Sequence, residues 1–115
     1  MAKPNFEARV RLRAGQPVID LLGEINAFAS GDLSAAYHEA ETQSPGDVLL
    51  NFDKVDYINS TGIALIVGLL AKARQSGRRL KVCGLSEHYM EIFQITRLID
   101  FMRVYPDEVS ALKSV

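Results

Sequence analysis

The chain has 115 residues, which corresponds to one domain because single domains usually contain roughly 100–200 residues. Hydrophobic residues make up 48% of it and charged residues 23%, a composition that is typical of a packed globular protein and excludes an intrinsically disordered chain. Thirteen Lys and Arg residues against fourteen Asp and Glu residues give a net charge of −1, so no overall field attracts nucleic acid or an anionic membrane.

The N-terminal part of the chain predicts a β-hairpin followed by a helix. Residues 6–13 alternate between apolar and polar side chains, the period of a half-exposed strand at a sheet edge. Turn residues at 14–17 connect it to a second strand over residues 18–25, which should pair with it antiparallel. Asn26 then precedes a predicted helix over residues 27–43. The residues of this helix expected to face inward are Phe28, Ala35, Ala36 and Ala40.

The rest of the chain predicts alternating strands and helices. Residues 48–52 are an apolar run typical of a central strand covered on both faces, and residues 53–58 are predicted as a loop. A helix over residues 61–76 and a strand at 80–83 complete a βαβ unit. The remaining predicted elements are a helix near 86–94, a short strand near 101–105 and a last helical turn or two from residue 106.

These elements predict one α/β domain over residues 1–115, with its core at about 6–112. A mixed β-sheet is covered by helices, in the order β-β-α-β-α-β-α-β-α. The N-terminal residues contain no apolar stretch as long as a secretory signal requires, and the uncharged run at 57–71 is too short and too polar at its start to span a bilayer. We therefore expect a cytoplasmic protein without direct membrane insertion.

The junction between the central strand and the most apolar helix holds the most informative residues. Ser60, or Asn59 beside it, lies where a helix N-cap belongs, and the free N–H groups of a first helical turn favour an anion. A phosphoryl group on Ser60 would be tolerated locally. The same residues are also the commonest simple caps, and a cap alone identifies no function.

The two faces of the predicted helix at 61–76 differ in an unusual way. The face expected to be core carries Ile63, Ile66, Leu69, Leu70 and Ala73, flanked by Leu65. The opposite face carries Ser60, Ala64, Gly68, Ala71 and Gln75, flanked by Val67. A solvated helix face normally carries Glu, Lys or Arg, so small residues there indicate either a docking surface for a partner or tight packing within the chain.

Four segments together resemble a known family. They are Leu-Gly-Glu-Ile-Asn at 22–26, Val-Leu-Leu-Asn-Phe at 48–52, Ile-Asn-Ser-Thr-Gly at 58–62 before an apolar helix, and Leu-Lys-Val-Cys-Gly at 80–84. Their order resembles a STAS domain of the bacterial anti-sigma-factor antagonist type. The resemblance implies a STAS-like fold and a regulator without catalysis of its own.

The resemblance also implies partners and a switch. In that family the dephosphorylated antagonist binds an anti-sigma factor, often a serine kinase, and thereby releases a sigma factor. The kinase phosphorylates a serine at the helix start, here Ser60, with Thr61 a less favoured acceptor, and a phosphatase restores it. The residues then expected to bind the partner are Gly23, Glu24, Asn26, Asn59, Ser60, Thr61, Gly62, Ala64, Gly68 and Ala71.

A second interpretation of the same resemblance is a constitutive STAS subunit of a membrane lipid-transport ATPase complex. The chain also departs from the family pattern, because Asn26, Asn51 and Asn59 stand where the family commonly has Asp. Fewer negative charges around Ser60 should ease the addition of phosphate and alter partner contacts.

Other chemistries have weaker support in the sequence. The single cysteine, Cys83, together with the separated His38 and His88, forms no zinc-ligand cluster, and we expect neither a metal nor a cofactor. Ser60 lacks the Gly-x-Ser-x-Gly elbow of a serine hydrolase, so no enzyme is predicted. The basic run at 72–81 lacks interleaved aromatic residues and is predicted to be a solvated cluster rather than a nucleic-acid site. The basic run consists of Lys72, Arg74, Arg78, Arg79 and Lys81. The apolar residues of the third helix and of the segment after it are predicted as core, and any exposed Met or Phe among them would extend the docking surface. They are Tyr89, Met90, Ile92, Phe93, Ile95, Leu98, Ile99, Phe101 and Met102.

Overall fold

The computed structural model describes residues 5–113 as a five-stranded mixed sheet packed with four helices. The sheet order is β1-β2-β3-β4-β5, with β1 antiparallel to β2 and every other neighbouring pair parallel. The strands are β1 (Phe6–Arg13), β2 (Gln16–Ile25), β3 (Val48–Ile58), β4 (Leu80–Cys83) and β5 (Arg103–Tyr105). The helices are α1 (Ser30–Gln43), α2 (Ser60–Gln75), α3 (Glu87–Ile95) and α4 (Glu108–Lys113), with 3-10 turns at Ala27–Ala29 and Leu98–Phe101. The predicted α/β class, element order and mixed sheet are confirmed.

The main core lies between one face of the sheet and helices α1, α2 and α3. Alternate residues of each strand point to this face, and the helices cover them with residues such as Tyr37, Ile66 and Phe93, each at most 1% exposed. The Phe93 ring meets Phe52 of β3 edge-to-face, with ring centroids 6.1 Å apart. Burial of these apolar surfaces holds the three helices to the sheet.

The other face of the sheet is mostly polar and is covered by the short helix α4. A small apolar cluster of Val18, Leu49 and Cys83 packs there against Ala111. Beside it, the Glu108 carboxylate accepts hydrogen bonds from Arg11, Arg13 and Asn51. A charged cluster next to a small apolar patch therefore attaches α4 to the sheet.

The predicted loop at 53–58 is wrong, because β3 continues as a strand to Ile58. The second half of β3 extends past the end of β4 and pairs only with β2, up to Ile25 opposite Ile58. This half of β3 pairs with a strand on one side only, and Asp53, Lys54 and Asp56 are exposed on it, so it tolerates the polar residues that gave the segment the composition of a loop.

Some residues predicted to be buried in the first helix, and in the region from α3 to β5, are exposed in the structure. Phe28 is 92% exposed and Ala35 is exposed, because a 3-10 turn at Ala27–Ala29 precedes α1 and changes the helical phase. The residues buried from this region are Ala29, Leu33, Ala36, Tyr37 and Ala40. Phe101 belongs to a 3-10 turn rather than to β5 and is 60% exposed, and Ile95 at the end of α3 is 73% exposed.

The basic run is only partly the solvated cluster that was predicted. Lys72, Arg74 and Arg79 are exposed, but Lys81 is 1% exposed, and its Nζ donates to the carbonyl of Ala111 at 2.9 Å. Arg78 is half-buried and donates to the carbonyl of Glu41 in the last turn of α1 and to the carbonyls of Ser44 and Gly46 in the loop after it. Two of the five cations thus connect parts of the fold.

Candidate functional site

Three contacts hold the start of α2, one within its own cap and the other two to β2 and α3. The Asn59 side chain caps the helix by accepting a hydrogen bond from the N–H of Gly62 at 2.8 Å. The Asn59 N–H donates to the carbonyl of Ile25 at the end of β2 (3.2 Å). The N–H of Ile58 donates to the hydroxyl of Tyr89, which comes from α3 and is buried (2.7 Å). The segment between β3 and α2 is therefore fixed to both neighbouring layers.

Ser60 is the first residue of α2 and is exposed, as is Thr61 after it. Because Asn59 is the cap, the N–H groups of Ser60 and Thr61 lack partners within the helix and lie at the positive end of its dipole. The predicted cap is thus Asn59, and the Ser60 hydroxyl is left available at the surface. An added phosphate dianion would be stabilised by these N–H groups rather than repelled.

The small-residue face of α2 is a free surface. Ala64, Gly68 and Ala71 are all exposed, and Val67 beside them is 44% exposed. A methyl group built on Gly68 would have no atom of the described residues within 4 Å. The alternative that these residues pack tightly within the chain is therefore wrong, whereas the predicted core face of the helix is confirmed, with Ile63 and Leu65 at its half-buried margin.

Gly62, predicted as a partner-binding residue, lies inside the fold. It is buried, and a Cβ at this position would overlap the backbone carbonyl of Ile25. Its missing side chain lets α2 approach β2 closely, which is a packing role. Gly23 is half-buried with φ +92°, and a Cβ there would overlap the carbonyl of Asn5. Gly23 thus lies within β2 rather than in a turn, and it shapes the strand backbone where the pairing with β3 shifts register rather than presenting a side chain.

Two exposed aromatic residues near Ser60 were not among the predicted site residues. Phe28 stands on the 3-10 turn that Asn26 caps, with the Asn26 Oδ1 accepting from the Phe28 N–H at 2.9 Å. Tyr57 is 53% exposed and lies opposite the half-buried Glu24 in the pairing of β3 with β2. The cap signal at Asn26, followed by Ser-Gly at 30–31, was the feature that could have indicated a break before α1.

Comparison with known proteins identifies the family. The STAS domain model matches residues 5–111. The chain belongs to the STAS domain family. It is 33% identical over 82 residues to the anti-sigma-B factor antagonist of Staphylococcus epidermidis, covering 71% of this chain and 76% of that protein. The corresponding protein of Staphylococcus aureus strain NCTC 8325 is 30% identical over the same coverage.

Solved structures share the STAS fold at lower sequence identity. An anti-sigma factor antagonist from Mycobacterium paratuberculosis superposes with a TM-score of 0.77 at 19% identity, covering 100% of this chain and 98% of that one. The Bacillus cell fate determinant SpoIIAA in its phosphorylated form gives 0.68 at 21% identity, covering 94% and 96%. Within residues 5–113, no helix is both long and apolar enough to cross a bilayer.

Asn26, Asn51 and Asn59 have separate structural roles. The Asn26 and Asn59 amide oxygens each cap a turn or helix next to the candidate site. Asn51 lies near the other end of β3, roughly 25 Å of strand away from Asn59, and its amide donates to Glu108 at 3.2 Å. Only Asn26 and Asn59 therefore bear on the charge around Ser60, and Asn51 belongs to the α4 contact.

The remaining reactive side chains lie elsewhere. Cys83 is buried in β4, and burial raises the pKa of its thiol to about 12, so it stays protonated. His38 and His88 are exposed, as predicted for surface histidines. In the part of the chain that the structure describes, no three His, Cys, Asp or Glu side chains come together as metal ligands would.

Proposed function

We propose that this STAS protein is a cytoplasmic anti-sigma-factor antagonist. It binds an anti-sigma factor that is a serine kinase, releases a sigma factor, and loses this binding when Ser60 is phosphorylated. A phosphatase restores it, and the chain has no catalysis of its own. The observation that carries the proposal is an exposed serine at the start of a helix whose exposed face continues with Ala64, Gly68 and Ala71. The names of the curated relatives support it.

The proposed docking surface combines the exposed face of α2 with Glu24 at the end of β2 and with Asn26 and Phe28 of the 3-10 turn that follows. The residues of α2 in this surface are Ser60, Thr61, Ala64, Val67, Gly68 and Ala71. Small side chains let the backbone of a partner come close to α2, which increases van der Waals contact. Phe28, at 92% exposure, supplies a large apolar side chain of the kind that dominates protein interfaces.

The proposed switch rests on the different surroundings of a phosphate before and after binding. In the free chain, a dianion on Ser60 lies in water beside unpaired N–H groups, so its cost is small. In a complex, the same dianion would have to lose water against a closely packed partner, which is unfavourable without a cation opposite it. Phosphorylation should therefore weaken binding without unfolding the chain.

The first test is the intact mass of the protein purified from its own cells with phosphatases inhibited, followed by fragment mapping. We expect a species heavier by one phosphate, with the phosphate on Ser60. The second test compares partner capture by the wild type with Ser60→Asp and with Ser34→Asp, a matched charge on an exposed position of α1. Ser60→Asp should lose the partner and Ser34→Asp should keep it.

The captured partner must then phosphorylate the wild type in the presence of ATP and leave Ser60→Ala unmodified. Phosphate on Thr61 and not on Ser60 would make Thr61 the regulatory phosphorylation site. Two results together would contradict the proposal: co-purification with a membrane transport ATPase, and no phosphate on Ser60 under growth or stress. They would favour the interpretation of the chain as a constitutive subunit of a transporter.

A further inference from the structure

A groove that does not include Ser60, but shares Val67 and Ala71 with the proposed docking surface, lies between the C-terminal half of α2 and the segment that connects α3 to β5. It has a volume of about 760 Å³, within the range of roughly 300–1,000 Å³ that is usual for small-molecule sites. Its apolar lining includes the buried Leu70, Leu98 and Met102 and the exposed Val67 and Phe101. The groove thus exposes apolar surface that the fold itself does not cover.

The charges around the groove are mostly positive, and some are already neutralised. Arg78 and Arg79 line it, but Arg78 is bound to backbone carbonyls and Arg79 forms an ion pair with Asp47 at 3.2 Å. Asp100, the one carboxylate in the lining, pairs with Arg97 at 2.9 Å. Arg74 and Arg103 are the remaining charged residues of the lining, and neither forms an ion pair with a carboxylate of residues 5–113.

Arg74 is placed to bind an anion at the mouth of the groove. Its guanidinium carbon lies 5.8 Å from the centroid of the Phe101 ring, across the groove from α2. Stacking on a ring occupies the face of a guanidinium and leaves its in-plane N–H donors available to a carboxylate or phosphate. Arg103 projects from β5 on the same side as Phe101 and is exposed.

We propose that this groove binds a small amphiphilic anion, namely an acyl chain with one carboxylate head group. The head group pairs with Arg74 and Arg103, and the chain packs against Val67, Leu98 and Phe101. Two unpaired guanidiniums match one carboxylate, whereas a polyanion such as a nucleic acid needs an extended cationic track. The apolar lining in turn requires a ligand with an apolar part, which excludes a bare inorganic anion.

The test is an NMR titration of the full chain with decanoate below its micelle concentration. We expect amide shifts confined to the second half of α2 and to residues 98–103. Decyltrimethylammonium has the same chain with the opposite charge, and acetate has the head group without the chain, so neither should produce those shifts. Equal shifts from the cationic compound, or shifts scattered over the surface, would overturn the proposal.

Variants test the named contacts. Arg74→Gln and Arg103→Gln should each weaken decanoate binding about tenfold, because each removes one charge-assisted hydrogen bond. Arg9→Gln, an exposed arginine of β1 paired with Glu7, should leave it unchanged. Ala71→Phe should block the groove by filling it. Thermal melting of every variant separates loss of binding from loss of fold.

Two further outcomes would contradict the assignment. Unchanged affinity in both arginine variants would show that the head group binds elsewhere. Shifts with an acidic, leucine-containing peptide and none with decanoate would assign the groove to a segment of another protein. None of these measurements depends on a kinase or on phosphorylation of Ser60, so this proposal and the proposed function can fail independently.

Discussion

The start of α2 and the contact of α4 with the sheet fix their helices by different kinds of interaction. At α2, the contacts are uncharged: an asparagine cap, a buried tyrosine hydroxyl and a glycine against a carbonyl. At α4, the charged contact is the Glu108 carboxylate with two arginines and an asparagine. Added charge or salt should therefore change the stability of the α2 contacts little, although this is the surface proposed to receive a phosphate. The α4 contact depends on ionised groups and should be sensitive to both.

The largest expected effect comes from Gly62→Ala, at the uncharged contact. The new methyl group would overlap the Ile25 carbonyl, and backbone atoms cannot move aside as a flexible side chain can. We expect a loss of roughly 3 kcal/mol in the free energy of unfolding, measured by urea denaturation. Gly31→Ala in α1, where a methyl group has open space, is the matched control. A similar stability for both variants would show that the close approach of α2 and β2 is not tight.

Glu108→Gln should break the charged contact, with a loss of roughly 1–3 kcal/mol at neutral pH. The hydrogen bond from Arg11 is the main cause that lowers the pKa of Glu108 to about 2 from an ordinary 4.5. A lowered folded-state pKa stabilises the fold above about pH 4.5, and this stabilisation is lost as the pH falls from 4.5 towards 2.

The check is thermal melting between pH 7 and pH 2 for wild type, Glu108→Gln and the exposed control Glu7→Gln. The slope of stability against pH below 4.5 should be reduced in Glu108→Gln and retained in Glu7→Gln. An unchanged slope in Glu108→Gln would assign the acid sensitivity to other carboxylates.

The same amide-to-acid change should have opposite signs in the two regions. Asn51→Asp removes the donor to Glu108 and adds a like charge beside it, so we expect a loss of about 1 kcal/mol at pH 7. Asn59→Asp keeps the cap on Gly62 and adds a negative charge at a helix N-terminus, with an expected gain of about 0.5 kcal/mol. Urea denaturation at pH 7 and pH 3 measures the change in the free energy of unfolding for each variant. The difference between the two variants should be smaller at pH 3, where the new carboxyl groups are more protonated. Equal effects of the two variants would contradict the contrast.

The smallest expected effect is that of Gly68→Ala on the exposed face of α2. Alanine stabilises a helix interior relative to glycine by about 0.5–1 kcal/mol, and here the methyl group meets no atom of the described chain. Stability should rise slightly while partner capture weakens, because the methyl group occupies the close-approach surface. Undiminished capture would remove Gly68 from the proposed docking surface.

Local patterns predicted most of the fold. The alternation in β1, the apolar run at the start of β3 and the two faces of α2 are visible in short stretches of sequence, and the structure confirms each. What the sequence could not show depends on contacts between distant segments. β3 is longer than predicted because its second half pairs with β2. Gly62 is buried because α2 packs against the Ile25 carbonyl, and Lys81 is buried because its Nζ binds a carbonyl of α4. The exposure of Phe28 depends on a 3-10 turn that a single helical period does not represent.

The attachment of the α2 start to β2, β3 and α3 has a consequence for how a signal would pass through this protein. A segment fixed by Asn59, Gly62 and Tyr89 has little freedom to change conformation when one atom group is added at its surface. Phosphorylation would then change the surface chemistry of the chain and not its conformation. A partner protein would respond to the phosphate itself and not to a rearranged fold. Hydrogen-exchange rates of the core amides should accordingly be the same with and without a phosphate on Ser60.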